Sequence, residues 1–474
     1  MCGCVSRPHD ARRVGKQPAI YPDYADVTVP PNIAPLNFML MDGAEAIVVD
    51  VNGAEYVRES GCKALFDADA WRELLSANKG KRLSVQVYGR YGDTWKAFKP
   101  FEWTVAEEQI DPNLVYRLIS PSYVSYEDLT LCQRNLEGFD EQVMVNNMLC
   151  SDEKEGQCVN CHSFQNYNPR RMQFHARQNH GGTFLMRDGE MRKVALKNDS
   201  TLSAGVYPAW HPRLDVIAYS TNKTVQSFHT RDLNKIEVYD AASNLILYDI
   251  ARNAITTISA RADRFDTYPA WSPDGQWLYY SSAKVPYQSD TVSIPLALKH
   301  VKEIRYNIYR RHFDAATRRF GAEELVFDAA GRGLSATLPR LSPDGRHLLF
   351  STAAYGCFHI WHHDADLWLM DLSRKEARPL RAANSKDTES YHTWSSNGSW
   401  VVFSSRRTDG NYTRPFFTHI DKKGRATKAF ELPQRDPECH LLLMKSYNIP
   451  ELTRGRVPLR PQQAARVMRS AVAD

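Results

Sequence analysis

The sequence has no apolar run approaching the roughly 18 residues that a helix needs to cross a bilayer, so no membrane-spanning helix is expected. Blocks of like charge are missing too. Sixty Lys and Arg stand against 55 Asp and Glu, mixed along the chain for a formal charge of +5. That balance argues neither for nor against an anionic partner, and nucleic acid is not expected as one. Cysteine is sparse, nine in 474 residues, which is too few for a disulfide scaffold. There is no Walker loop, no H-E-x-x-H and no G-x-G-x-x-G, so the nucleotide and metalloprotease classes lose their usual signatures. An export signal is absent as written, because Met1-Cys2-Gly3-Cys4 opens directly onto a polar stretch. The expectation is a true start further upstream, with Cys4 as the lipid-bearing cysteine of a lipoprotein; the alternative is an exposed tail with two incidental thiols.

What is present begins with bulk. A hydrophobic content of 43% over this length supports two or three domains, each with its own core. The strongest local pattern is Cys158-Val159-Asn160-Cys161-His162, a C-x-x-C-H pentapeptide of the kind that attaches c-type haem. Two thiols three positions apart can bond both vinyl edges of one porphyrin while the adjacent imidazole ligates iron. One covalent haem c is therefore expected, tethered by Cys158 and Cys161 with His162 as proximal ligand. Met172, His175 and His180 are the candidates for the sixth position. A structural zinc site and a redox thiol pair are the alternatives; zinc lacks an evident fourth ligand, and the flanking sequence does not alternate as a thioredoxin-like βαβ unit does. The resemblance to c-type cytochromes implies an extracytoplasmic location, in the periplasm or as an outer-membrane lipoprotein.

Along the chain, residues 1–25 read as a tail and 26–110 as a small β unit. Its short runs, Ile33 to Leu40, Glu45 to Val51, Leu83 to Tyr88 and Phe101 to Val105, are separated by Asp-Gly, Lys-Gly and Gly-Asp turns. An immunoglobulin- or fibronectin-like sandwich is the expected architecture, with one helical insert from Asp67 to Ala77. After Ile110-Asp111-Pro112, residues 111–182 read as a connector carrying the haem motif.

Residues 183–450 contain an internal repeat. Tyr207-Pro-Ala-Trp-His-Pro-Arg is followed by Tyr268-Pro-Ala-Trp-Ser-Pro-Asp-Gly, then Leu338-Pro-Arg-Leu-Ser-Pro-Asp-Gly and Tyr391-His-Thr-Trp-Ser-Ser-Asn-Gly, each leading into an apolar run. Proline sets one turn dihedral and Asp-Gly or Asn-Gly supplies positive φ, so each copy predicts two strands joined by a tight turn. Trp210, Trp271, Leu341 and Trp394 are expected at equivalent buried places, with Asn244 to Ile250 and Asp366 to Leu372 as outer strands. These repeats resemble the TolB-type, WD40-like propeller family, and together with C-x-x-C-H they resemble bacterial cell-envelope proteins. The resemblance implies an all-β chain ending in a five- or six-bladed β-propeller. Gly182 to Leu196 and Cys439 to Lys445 are expected to close the ring from both ends. Residues 451–474 read as a tail, with Arg460, Arg466 and Arg469 in a short basic helix or a frayed end.

Two weaker constellations remain. His359, His362, His363 and Asp364, with Asp366, have the density to hold a divalent cation, but a polar loop accounts for them as well. His362 or His229 would alternatively face the haem. His180-Gly181-Gly182 is similar to the oxyanion turn of esterases, yet no G-x-S-x-G elbow accompanies it. The expected function is an exported c-type haem protein, carrying electrons or binding in a redox-linked way in the envelope, with a redox partner protein or envelope complex. The alternative is a non-enzymatic envelope scaffold or binding propeller in which haem is structural or sensory. A propeller alone decides between neither.

Overall fold

The computed structural model describes residues 8, 10–120, 128–150, 157–199, 201–289 and 291–472; the lipidation expected at Cys4 lies outside the described residues. Strands dominate, and six four-stranded antiparallel sheets follow one another along the chain. Four of them are built on the turns read in the repeats. In the second repeat, Ser272 Oγ donates to Asp274 Oδ1, Asp274 Oδ1 accepts the amide of Gln276 at 3.0 Å, and Ser272 Oγ accepts the amide of Trp277 at 2.9 Å. Gly275 follows at φ 75°. The same network recurs at Ser342 and Asp344 and at Ser395 and Asn397. The first repeat departs in sequence, and the imidazole of His211 fills the role instead. Its Nδ1 accepts the amides of Arg213 and Leu214, while its Nε2 lies 3.1 Å from the carbonyl of Gly275 in the next sheet. A Cβ on Gly275 would come within 2.4 Å of that ring, so glycine is required twice over at this position.

The innermost strands are Gln157–Phe164, Val206–Trp210, Arg264–Trp271, Ser335–Leu341, Glu389–Trp394 and Ser446–Thr453. Each contacts the next, and the last contacts the first, which closes the six sheets into a propeller-like ring. Closure is made by the C-terminal strand Ser446–Thr453, which pairs antiparallel with Asn113–Ile119. Thr130–Asn135 and Glu141–Asn146 complete that sheet.

Several boundaries read from sequence move. Residues 111–182, expected as a connector, supply three strands of the closing sheet and two of the sheet that contains the pentapeptide. Gly182–Arg187 and Glu190–Val194 are the outer pair of the latter. Cys439–Leu442 is a short helix rather than a strand. Residues 446–453, placed across the boundary between propeller and tail, form the inner closing strand. The basic end is ordered as helix Pro461–Met468, which buries Ala464, Ala465 and Met468 against an apolar cluster with Met144, Phe174 and Phe184.

The N-terminal unit holds a seven-stranded and a three-stranded sheet with one helix, Ala68–Ala77. Asp67 caps that helix by accepting the amides of Asp69 and Ala70. Two strand pairings are parallel, Arg12–Arg13 with Thr94–Ala97 and Val27–Val29 with Phe101–Val105, unlike the antiparallel sheets of an immunoglobulin sandwich. Trp71 and Trp103 meet edge to face at 5.3 Å, and their core is continuous with Trp400, Phe417, Phe430 and Tyr447 of the last two sheets. Polar contacts reinforce the junction: the indole of Trp400 donates to the Glu108 carbonyl at 3.0 Å, and Asp111 accepts from the amide and hydroxyl of Ser396 at 2.6 Å each. Trp400 is fully buried, so Trp400→Ala is expected to cost about 3–5 kcal/mol. Denaturant melts followed by tryptophan fluorescence and circular dichroism should then show both units unfolding together at a lower midpoint.

Candidate functional site

The six inner strands share one local device. Each carries a non-glycine residue in the left-handed region: Cys161 at φ 52°, Tyr207 at 48°, Tyr268 at 52°, Leu338 at 57°, Tyr391 at 46° and Ile449 at 52°. At each of them the pairing with the second strand slips by a bulge. All six side chains line one small void of about 30 Å³, so they converge on the ring axis and form its waist. Aligning the strands on this residue places Cys161-His162-Ser163-Phe164 beside Tyr207-Pro208-Ala209-Trp210, Tyr268-Pro269-Ala270-Trp271, Leu338-Pro339-Arg340-Leu341, Tyr391-His392-Thr393-Trp394 and Ile449-Pro450-Glu451-Leu452.

His162 thus stands where four of the other strands have proline and one has His392. The two histidines have the same surroundings. His162 is acted on by the backbones of Ile449 and Val115, and His392 by those of Leu338 and Leu349, in each case the first and second strands of the preceding sheet. In both rings neither nitrogen has a well-formed hydrogen bond, and burial pushes both down to about 3. Since His392 has no neighbouring cysteine, an unpaired buried imidazole comes with the position rather than with a cofactor.

The donor set does not fit a covalent haem in this fold. Cys161 and His162 border the 30 Å³ waist, room for a water and not for a macrocycle, whereas Cys158 lines a separate chamber of about 300 Å³ on the far side. Of the sixth-ligand candidates, Met172 is packed with Phe174 and Phe184, His175 Nδ1 lies 3.1 Å from the Thr183 hydroxyl, and His180 sits at a hairpin tip. None of the three lines the void beside His162. Cys158 and Cys161 are both free thiols.

The second constellation disperses as well. His359 is held by Thr337, Ser351 and the Gly356 carbonyl, and His362 Nε2 lies 3.1 Å from Glu237. His363 pairs with Asp387, and Asp364 accepts the amide of Ala354. His229 lies in the turn of the long hairpin Val216–Phe228 and Ile236–Asp249. Among the described residues, no group of three or more His, Cys, Asp or Glu converges as a metal site. Instead, the loop with His359 packs Ile360 and Trp361 on Ile236 and Val238 of that hairpin, roofing the far chamber.

On the turn face the axis opens into a mouth of about 520 Å³. Its floor is the next residue ring outward from the waist: Ser163, Ala209, Ala270, Arg340, Thr393 and Glu451. Trp210, Trp271, Arg213 and Arg454 stand in its wall. Of the wall tryptophans, Trp271 is fixed from the preceding sheet, its Nε1 donating to the Ala209 carbonyl at 3.0 Å. Burial raises Glu451 to about 8 and lowers Arg340, each opposed by the other's charge. Sequence reading missed these two residues. The signal was available in the repeats, where a floor position that is otherwise small or hydroxylic becomes Arg340 in one copy.

The fold places the chain among β-propeller-like proteins. Similar solved structures include prolyl oligopeptidase B from Galerina marginata, 8% identical over 73% of this chain and 42% of that one with a TM-score of 0.37. The tricorn protease is 11% identical over 75% of this chain and 33% of that one, TM-score 0.34, and the GH74 enzyme of Niastella koreensis 12% over 74% and 55%, TM-score 0.34. This chain spans from a third to just over half of those proteins, and at such scores they bear on no residue or activity of it. No protein-family model and no curated protein matches the chain.

Because proline occupies the equivalent place elsewhere, His162→Pro and His392→Pro are each expected to change stability at pH 7 by less than about 1 kcal/mol. Acid separates them from a neutral swap. With a folded pKa near 3 against 6.5, His392 takes up its proton in the unfolded chain first, so stability present above pH 6.5 is lost as pH falls. Glu451, raised to about 8, and Asp240, raised to about 7, act in the opposite direction in both proteins. Urea melts between pH 7 and 4.5 should therefore show a shallower loss in His392→Pro, by up to about 1.4 kcal/mol per pH unit. An unchanged slope would mean that His392 is not held neutral.

Proposed function

We propose that this chain is a non-enzymatic binding propeller that seats its ligand in the axial mouth on the turn face. The observation that carries this reading is the asymmetry of the axis. Its waist is plugged by six converging side chains, while the mouth above is roomy and its floor includes two ionisable residues, Arg340 and Glu451, that ring closure does not need. A closed floor makes a seat rather than a pore, and pockets of this size with a few placed polar groups are the usual form of a small-ligand site. The sequence resemblance to TolB-type propellers and cell-envelope proteins supports a place in the envelope, with the N-terminal unit braced on the last two sheets and a lipidated Cys4 as the route of attachment. Residues 158–162 act in this reading as a blade strand.

Electron transfer by a covalent haem is the competing reading, supported by the pentapeptide alone. Full-length protein produced in a host that matures c-type cytochromes decides between them by a haem-stained denaturing gel and intact mass. The expected result is no stain and a mass equal to polypeptide plus any lipid; a covalent Soret band would overturn the strand reading of 158–162. The mouth itself is tested by thermal-shift screening of small ligands against wild type and Ala209→Phe, which fills the floor. Ligands should shift the melting of wild type alone, and equal shifts in both proteins would move the seat elsewhere.

A further inference from the structure

The floor of the mouth holds a guanidinium, that of Arg340, which among the described residues forms no ion pair with a carboxylate. Arg340 reaches the floor from the inner strand Ser335–Leu341, and among the described residues its only side-chain hydrogen bond runs from Nη1 to the carbonyl of Pro339 at 3.2 Å. A guanidinium carries five N–H donors and does not give up its charge in proteins. Glu451 interacts with it electrostatically without reaching ion-pair distance. Burial pushes that carboxyl up to about 8 against the pull of Arg340 and of a backbone hydrogen bond from Phe164, which weakens it as a counter-charge. Arg340 is half-buried and faces the open mouth, and the other floor positions, Ser163, Ala209, Ala270 and Thr393, show that ring packing asks for nothing larger than threonine there. Arg340 is therefore better explained by what it binds than by what it packs against.

The surroundings narrow the ligand. Arg213 and Arg454 add positive charge at the rim, so the field in the mouth favours an anion. A single guanidinium at the floor, with its paired N–H donors, matches the two oxygens of a planar carboxylate, whereas a phosphate would call for more donors there. Above the floor, Trp210, Trp271 and Leu341 give the mixed wall its apolar surface.

We propose that the mouth binds the carboxylate of an organic ligand, seated on the Arg340 guanidinium, with the ligand's apolar body along Trp210, Trp271 and Leu341. This rests on the mouth being the ligand seat. The same chemistry is offered by a free organic acid and by the C-terminus of a peptide.

Calorimetric titration of the full chain at pH 7 tests it with three probes: acetyl-Ala-Phe as the free acid, the same peptide as its C-terminal amide, and 4-phenylbutyrate. At least one acid is expected to bind, and the amide at least about tenfold more weakly than the peptide acid if the peptide is bound at all. Binding of both acids points to any carboxylate with an apolar tail, and binding of the peptide acid alone points to a chain terminus. Arg340→Gln should weaken the bound acid at least about tenfold. Should Arg340→Gln not fold, the acid-against-amide comparison and competition by inorganic phosphate on wild type decide. Acids no better than the amide, no acid bound, an Arg340→Gln protein that binds as well as wild type, or phosphate displacing the acid at equal concentration would each overturn the proposal. If screening finds neutral ligands that Ala209→Phe excludes and Arg340→Gln does not, the seat stands and the carboxylate falls. If nothing distinguishes Ala209→Phe from wild type, the seat itself falls.

Discussion

Everything in this molecule depends on bringing six inner strands to one axis without leaving a pore or a clash. A straight strand presents its side chains alternately to the two faces of its sheet, so it has no residue aimed along its edge at the axis. One left-handed residue per strand solves this. It breaks the pleat, turns a large side chain inward, and lets the next residue lie back on the preceding sheet. Such a conformation costs roughly 1–2 kcal/mol for an L-residue, and more for a β-branched one such as Ile449. Its recurrence in all six strands shows that packing at the waist and between the sheets over-determines the backbone. Tyr207 and Tyr268 alone bring their ring centroids to 4.5 Å there.

This device gives the C-x-x-C-H segment a structural role in the ring. Its last two residues, Cys161 and His162, fill the inward position and the laid-back position that Tyr-Pro fills elsewhere, and Ser163-Phe164 match Ala-Trp in size order. A cysteine is small and apolar enough for the waist, and a neutral imidazole is flat enough to replace proline against Ile449 and Val115. His392 makes the same replacement with no cysteine beside it. In sequence the strand is hard to recognise as a fifth copy of the repeat because its turn, Gln165-Asn166-Tyr167, lacks Ser-Pro-Asp-Gly.

Legibility followed the same physics elsewhere. Strands announced by Asp-Gly or Asn-Gly turns were visible in sequence, since those residues report local backbone need, and so was the helix behind Asp67. The closing strand Ser446–Thr453 was not, because it has no hairpin of its own and pairs with Asn113–Ile119 more than 300 residues away. The break at Ile110-Asp111-Pro112 was visible as a turn, but not that Asp111 would bind Ser396 and that Trp103 and Trp400 would share one core. Long-range pairings of that kind leave no periodic mark.

Arg340 illustrates the opposite limit. Its identity stood in plain view within a quoted repeat, and only the alignment on the left-handed residue turns it into an anomaly: a charge at a level where ring geometry is satisfied by alanine. Glu451 is its counterpart in the closing strand, where no repeat had been recognised. Placed two sheets apart with Thr393 between them, the pair breaks the sixfold equivalence of the floor and gives the mouth an orientation that the waist below lacks. A ring built from near-identical copies can favour one pose of an asymmetric ligand only by such departures, so the positions where the repeat is locally least faithful are those that distinguish one side of the seat from the other.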